Sequence, residues 1–319
     1  MRALLDEFER LFDLDREVLG QRLGDLVERA IERLEVQNLP DWGTPGEAQR
    51  FESVSGRSLD FYYSPHLFPE MEQSLKLGHK LQFYMLPREV PQAAPMSIAA
   101  VLESYCHLSG DMFGWAMLPD RRFVVWIVDL AGHGVEAGIA SAVFKILIDT
   151  LQMPGGIEMF VKELNDTFVR CIREDRGSLY ATGFFMVVSP DGAMQYCSAG
   201  HPPVLLRRVD GAIEELEPNG IPVGMFPGSD YQSVSTTLHP QDLLLLYTDG
   251  VIETTNKQNE FFGTDRLRQH VVEASGAPKS LTSSLYSKIA NYQDMAKLDD
   301  DVTFVAVKME QGAASEADE

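Results

Sequence analysis

Val124-Val-Trp-Ile-Val-Asp-Leu-Ala-Gly-His-Gly134, "VVWIVDLAGHG", runs from large apolar residues into a carboxylate and then into a Gly-His-Gly turn. A short apolar run closed by turn residues predicts a buried strand, so Asp129 stands at the rim of a core. A carboxylate there is costly unless hydrogen bonds or positive charge compensate it. Three more Asp residues hold comparable places. Asp111 lies in Ser109-Gly-Asp111, Asp249 follows Leu243-Leu-Leu-Leu-Tyr-Thr248, and Asp300 opens Asp300-Asp-Val-Thr303. Taken singly, an Asp before Gly, as in Asp249-Gly250, reads equally well as a turn former. Taken together, the four would repel one another unless cations lay between them. Ligands offering only oxygen select Mg²⁺ or Mn²⁺ over zinc or copper. That reading requires a fold that brings distant strand ends together.

Around this run, strands and helices are interspersed from residue 96 onward. "RFVVWIVDL", "LYATGFFMVV", "AMQYCS", "VLLRR" and "DLLLLYTDG" are short and apolar, separated by turn signals such as Ser189-Pro-Asp-Gly192 and Asp210-Gly211. They predict strands, mostly antiparallel because the connections are short. Residues 135–151 are apolar except for a stripe at Ser141, Lys145 and Asp149, with few other polar residues, which predicts a largely buried helix. A second helix is expected over 157–172 with Phe160, Leu164 and Phe168 inward, two more within 264–275 and 279–296, and a last strand over 302–307.

Upstream, Leu4, Phe8, Leu11, Leu19, Leu23, Leu26, Ala30 and Leu34 recur at helical spacing, so residues 1–60 read as a helical, regulatory region. Pro40, Gly43, Pro45, Gly46, Gly56 and Pro65 mark a connector with a domain boundary. Residues 61–86 read as a linker helix, with Leu67, Met71, Leu75, Leu81 and Met85 on one face and Pro87 ending it. The acidic, small-residue stretch 311–319 reads as a solvated tail.

The chain has 319 residues, 45% hydrophobic, and a formal net charge of −21 from 48 acidic and 27 basic residues. That suffices for a sizeable core, and it disfavours nucleic acid and anionic membrane, both of which bind through clustered Lys and Arg. The three cysteines, Cys106, Cys171 and Cys197, are odd in number, lack metal-type spacing and read as reduced core thiols. The first residues lack the basic start and apolar stretch of a signal peptide, and no run approaches the ~20 apolar residues of a membrane span. A cytoplasmic protein is expected.

"SGD", "DLAGHG", "YCSAGHPPVLL", "GIPVGMF", "LLLLYTDGVIETTN", "EFFGTDRL" and "DDVTFVAVK", in this order, resemble the SpoIIE/RsbU group of bacterial serine phosphatases within the type 2C (PPM) family. "KLQFYMLPREVP" resembles the lead-in of that group, and the likeness covers roughly residues 78 to 309. It implies an α+β fold over 87–310, an α-β-β-α sandwich of two mainly antiparallel sheets flanked by helices and preceded by the N-terminal helical region. It also implies a centre of two Mn²⁺ or Mg²⁺ ions held by Asp111, Asp129, Asp249 and Asp300 and by the backbone carbonyl of Leu130. Asp301 would turn away and hydrogen-bond nearby, although Asp300 and Asp301 could exchange roles. Two ions about 3.5–4 Å apart acidify a bridging water and orient a phosphate monoester for in-line attack. No protein nucleophile is needed, and no catalytic side chain is assigned. His133 and His201 are candidate general acids, but the structural reading is preferred for each, because each lies in a Gly- or Pro-rich turn where a ring can cap backbone groups.

The resemblance implies a protein serine/threonine phosphatase acting on a phosphorylated STAS-type regulatory protein, an anti-sigma-factor antagonist, in a partner-switching pathway. It also suggests an upstream regulator acting through the N-terminal region and a homodimer formed through the linker helix. One departure stands out: relatives carry an Asp three residues after the SGD carboxylate, where this chain has Gly114. The rival reading is therefore a phosphatase-shaped binding module with weak catalysis. Retention of all four aspartates argues against it, since a scaffold has no reason to cluster like charges.

Overall fold

The computed structural model describes residues 48–52, 58–62, 67–132, 134–151, 153, 155–172, 179–293 and 298–310. The predicted helices over 4–34, the acidic tail and His133 lie outside the described residues. The chain divides into two compact units, Met1–Lys76 and Leu77–Glu319. In the first, β1 (Ala48–Glu52) and β2 (Ser58–Tyr62) pair antiparallel, with Ala48 opposite Tyr62. The stretch read from its Gly and Pro content as a connector thus holds a hairpin, which corrects the reading of residues 1–60 as helical throughout and of the linker helix as starting at 61, since that helix begins at Leu67. Helix α1 (Leu67–Met85) crosses the division in sequence.

The second unit holds two five-stranded sheets. In one the order is β10 (Val234–Thr237), β7 (Ala193–Ala199), β6 (Ala181–Val188), β5 (Phe123–Leu130), β4 (Met112–Met117). In the other it is β3 (Met96–Glu103), β12 (Val302–Met309), β11 (Leu243–Tyr247), β8 (Val204–Arg207), β9 (Ile213–Leu216). Every pairing within them is antiparallel. Helices α2 (Val135–Thr150) and α3 (Ile157–Cys171) pack on β5, β6 and β7. Across the other sheet lie α5 (Gly263–Glu273) and α6 (Pro278–Gln293), after the single turn α4 (Asp249–Glu253). The layers are those of the expected α-β-β-α sandwich.

Strand β11 shows why its leucines repeat without polar interruption. Successive side chains of a strand point to opposite faces. Leu244 and Leu246 join Val305, Val307 and the residues of β5 and β6 in one apolar cluster. Leu243, Leu245 and Tyr247 instead join Leu267 and Val271 of α5 and Leu281, Leu285 and Ile289 of α6. A strand covered on both faces has no place for polar residues, and burying one such leucine contributes about 1.5–3 kcal/mol. The strands that sequence patterning did not single out, β3, β4, β9 and β10, are the outer strands of the two sheets. An outer strand is packed less completely, so its pattern is weak; β10, Val234-Ser-Thr-Thr237, has no fully buried residue.

Two expectations change. Along α1 the expected apolar face included Leu81, but Leu81 is exposed, while Gln82 and Leu86 are buried. The contact that orients this part of the helix is polar, so apolar periodicity could not register it. Among the cysteines, Cys197 is buried and Cys171 partly so, but Cys106 is exposed in the loop after β3, where Tyr105 and His107 flank it. Among the described residues no helix is long and apolar enough to cross a membrane.

Candidate metal centre

Four strand ends bring the aspartates together. Asp129 is the penultimate residue of β5, opposite Thr182. Asp111 directly precedes β4, whose Met112 pairs with Val128, so the next step of the register sets Asp111 opposite Asp129. The amide of Leu130, the last residue of β5, reaches the carbonyl of Gly110 at 3.4 Å. Beyond it the chain turns through Gly132 and Gly134, at φ +97° and +82°, conformations that side chains rarely allow. From the second sheet, Asp249 leaves β11 and Asp300 and Asp301 enter β12, the Thr248 amide donating to the Thr303 carbonyl at 3.0 Å.

The carboxylates perturb one another. Burial first, then the charges of Asp129 and Asp301, hold Asp111 well above the usual carboxylate range, against hydrogen bonds from Thr303 and Thr248. Burial and the charges of Asp249, Asp300 and Asp301 push Asp129 up to about 8. Asp249 is raised by burial and by Asp300. Asp129 thus interacts with both Asp111 and Asp249. Neighbouring carboxylates of this kind resist full ionisation unless a cation lies between them. Asp300 and Asp301 have different surroundings. Asp301 accepts from the amides of Tyr105 and Gly110, both at 2.7 Å, and is buried. Asp300 is exposed beside Asp249, and one of its oxygens accepts the Asp301 amide at 2.8 Å. Of the two, only Asp300 leaves an oxygen without a backbone partner.

Among the described residues no group of three or more His, Cys, Asp and Glu side chains is already arranged to hold an ion. The donor set still fits hard divalent cations: it consists of oxygens, ranges from buried Asp111 to exposed Asp300, and has excess negative charge that its hydrogen bonds only partly offset. Asp111, Asp129, Asp249 and Asp300, with the Leu130 carbonyl, are the groups that would hold them.

Several supporting residues escaped the sequence reading. Thr248 Oγ1 donates to Asp111 Oδ2 at 2.8 Å and accepts the Thr303 amide at 3.2 Å, locking two strands to one carboxylate. Gln82 Nε2 donates to the Ser109 carbonyl at 2.6 Å and to Ser141 Oγ at 2.7 Å, while its Oε1 accepts the Ser109 amide at 3.0 Å. Helix α1, the loop before Asp111 and helix α2 are thereby joined through one buried amide. The signals were present: Gln82 lies within "KLQFYMLP", and Ser141 belongs to the polar stripe of an apolar helix. Glu253 is a further carboxylate at this edge, raised by burial and by Asp249 and Asp300.

Gly114 is explained by its neighbour. A Cβ there would stand 2.3 Å from Cζ2 of Trp126, its register partner. The Lys145 ammonium of α2 lies 5.7 Å from the Trp126 ring centroid, so position 114 faces α2 and not the carboxylates. His201 is buried, with Nδ1 3.3 Å from Thr182 Oγ1, and burial pushes its imidazole down to about 3. It is neutral at physiological pH and walled off from solvent.

A family profile described as Stage II sporulation protein E (SpoIIE) matches residues 119–310, which include Asp129, Asp249 and Asp300. The chain belongs to the SpoIIE family. Phosphoserine phosphatase RsbP of Bacillus subtilis is 28% identical over 244 residues, 74% of this chain and 58% of that protein. Protein IcfG of Synechocystis is 27% identical over 261 residues, 73% of this chain and 41% of that protein. This SpoIIE-family chain therefore spans about half the length of these relatives. The SiaA-PP2C domain of Pseudomonas aeruginosa superposes with a TM-score of 0.65 at 18% identity, covering 76% of this chain and 99% of that domain. At that identity the likeness speaks for the fold, which is that of the type 2C phosphatases.

Proposed function

We propose that the chain is a metal-dependent protein serine/threonine phosphatase whose substrate is a phosphoserine on a STAS-type regulatory protein. The observation that carries this reading is the convergence of Asp111, Asp129, Asp249 and Asp300 from four strand ends of two sheets. When bound, divalent ions supply Lewis acidity, lowering the pKa of water and neutralising phosphoester charge. The chain's own contribution is to hold the donors in place. Asp129 and Asp111 are fixed by strand pairing, Thr248 orients Asp111, and Asp301 fastens the loop of Gly110 to the start of β12. Asp111 is buried and Asp129 and Asp249 are partly so, so their charges act more strongly than they would in solution. The relatives named phosphoserine phosphatases support the choice of reaction, and the structure with magnesium of RsbX, 18% identical with a TM-score of 0.52, shares this fold. Regulation enters through residues 1–86, by an upstream partner and by pairing of two copies along α1.

The reading is tested by Mn²⁺-dependent release of phosphate from a serine-phosphorylated STAS-domain protein. Asp249→Asn is expected to weaken Mn²⁺ binding and to lower turnover by ~10²-fold or more, the scale of losing one charge-stabilising group. A variant that stays active with unchanged metal affinity would refute it. Calorimetry with Mn²⁺ separates the rival binding module, which would take up no ion at this site.

A further inference from the structure

The loop containing Gly220-Ile-Pro-Val-Gly-Met-Phe226 contributes no group to the carboxylate site, yet it is fastened at that site's edge. Val223 and Ala181 exchange two backbone hydrogen bonds of 2.8 Å. Ala181 and Thr182 are in turn the cross-strand partners of Leu130 and Asp129. Polar side chains hold the rest of the loop. Asn165 of α3 accepts the Gly224 amide at 2.8 Å and donates to the Phe226 carbonyl at 3.0 Å, and Asp166 accepts the Gly228 amide at 2.8 Å. Asn219 accepts the Ser198 amide at 2.8 Å and donates to the Gln232 carbonyl at 2.7 Å. A loop so tied presents its outward side chains at fixed positions.

Two of those side chains are large and apolar: Ile221 is 40% exposed and Phe226 58%. No residue from Pro218 to Ser229 carries a charge, in a chain with 48 acidic and 27 basic residues. Phosphate adds negative charge to any protein substrate, and most of this surface repels negative charge. This uncharged segment, anchored one strand from Asp129, is where protein contact forms with little like-charge juxtaposition. A rigid aromatic on an anchored loop also loses little conformational entropy when covered.

We propose that Ile221 and Phe226 are the docking ridge for the phosphoprotein substrate, entering an apolar recess of that protein while its phosphoserine is presented to the carboxylate site. This rests on the phosphatase reading of the site. It assigns to the ridge the distinction between a protein substrate and a small phosphoester, which reaches the carboxylates without touching the loop.

The test compares the full-length wild type with Phe226→Ala, Ile221→Ala and the double variant, in Mn²⁺, on a serine-phosphorylated STAS-domain protein and on p-nitrophenyl phosphate. The expected result is a fall of about tenfold or more in the ratio of the two kcat/KM values for the double variant, borne by KM for the phosphoprotein, as for loss of an interface anchor. Phe226→Leu is expected to recover most of the ratio. An unchanged ratio overturns the docking role and leaves the phosphatase reading standing. A wild type inert on both substrates, with Mn²⁺ present, removes that reading and the ridge with it. A wild type active on p-nitrophenyl phosphate alone overturns the choice of protein and the docking that depends on it.

Discussion

At the scale of single residues, the site depends on positions where one atom decides the packing. Gly250 follows Asp249, and a Cβ on it would stand 2.0 Å from the Asp301 carbonyl oxygen. Backbone cannot yield as a flexible side chain can, so Gly250→Ala must shift the 300–301 turn. The expected cost is about 1–3 kcal/mol of stability, typical of overpacking, with a weakened response to Mn²⁺; melting with and without Mn²⁺ measures both. His201 sets an acid limit of another kind. Its folded pKa, about 3, lies below its ordinary 6.5. The unfolded chain thus takes up a proton that the native imidazole refuses, and stability falls as pH drops from 6.5 towards 3. Each such pH unit is worth up to about 1.4 kcal/mol. His201→Gln is expected to flatten the decline of melting temperature between pH 6.5 and 4.5, and parallel curves for the two proteins would refute the assignment.

At the scale of elements, helix α1 meets the loop of Asp111 through Gln82, which serves both the amide and the carbonyl of Ser109. Gln82→Leu conserves bulk but leaves the Ser109 amide without its side-chain partner, while the Ser109 carbonyl and Ser141 Oγ keep their bond to each other. Each buried polar group left unpaired costs about 1–3 kcal/mol. A lower urea midpoint and a higher half-saturating Mn²⁺ concentration are expected, and an unmoved midpoint would show the amide to be dispensable. This contact also marks where the sequence stops being legible. The interior strands β5, β6, β11 and β12 announce themselves because burial on both faces leaves apolar runs, and Asp129, Asp249 and Asp300 at their ends could be picked out as candidates. The outer strands are invisible to the same logic, being short or half-wet. Polar clamps such as Gln82 or Asn165 carry no periodic signal, since their role follows from partners 27 to 61 residues away. Position 114 required the fold for the same reason, its meaning residing in Trp126 across the ladder.

At the scale of the whole molecule, surface charge and exposed apolar side chains act against each other. Leu77, Leu81 and Tyr84 of α1 are 50%, 41% and 64% exposed and follow one another at intervals of four and three residues. That spacing puts them on one side of a helix, the pattern of a seam between paired helices. A second copy of the chain brings the same stripe, and also a second net charge of −21. Burying the stripes favours association at any ionic strength, whereas the repulsion is screened beyond about 8–10 Å in ordinary buffer. The dimer is therefore expected to tighten as salt rises from 50 to 500 mM (roughly 14 to 4 Å of screening length), opposite to an assembly held by ion pairs. Light scattering should give twice the chain mass for the wild type and the chain mass for Leu77→Ser/Leu81→Ser, with little change in melting temperature because both positions are wet in the single chain. Equal masses for the two proteins across that salt range would remove α1 as the seam.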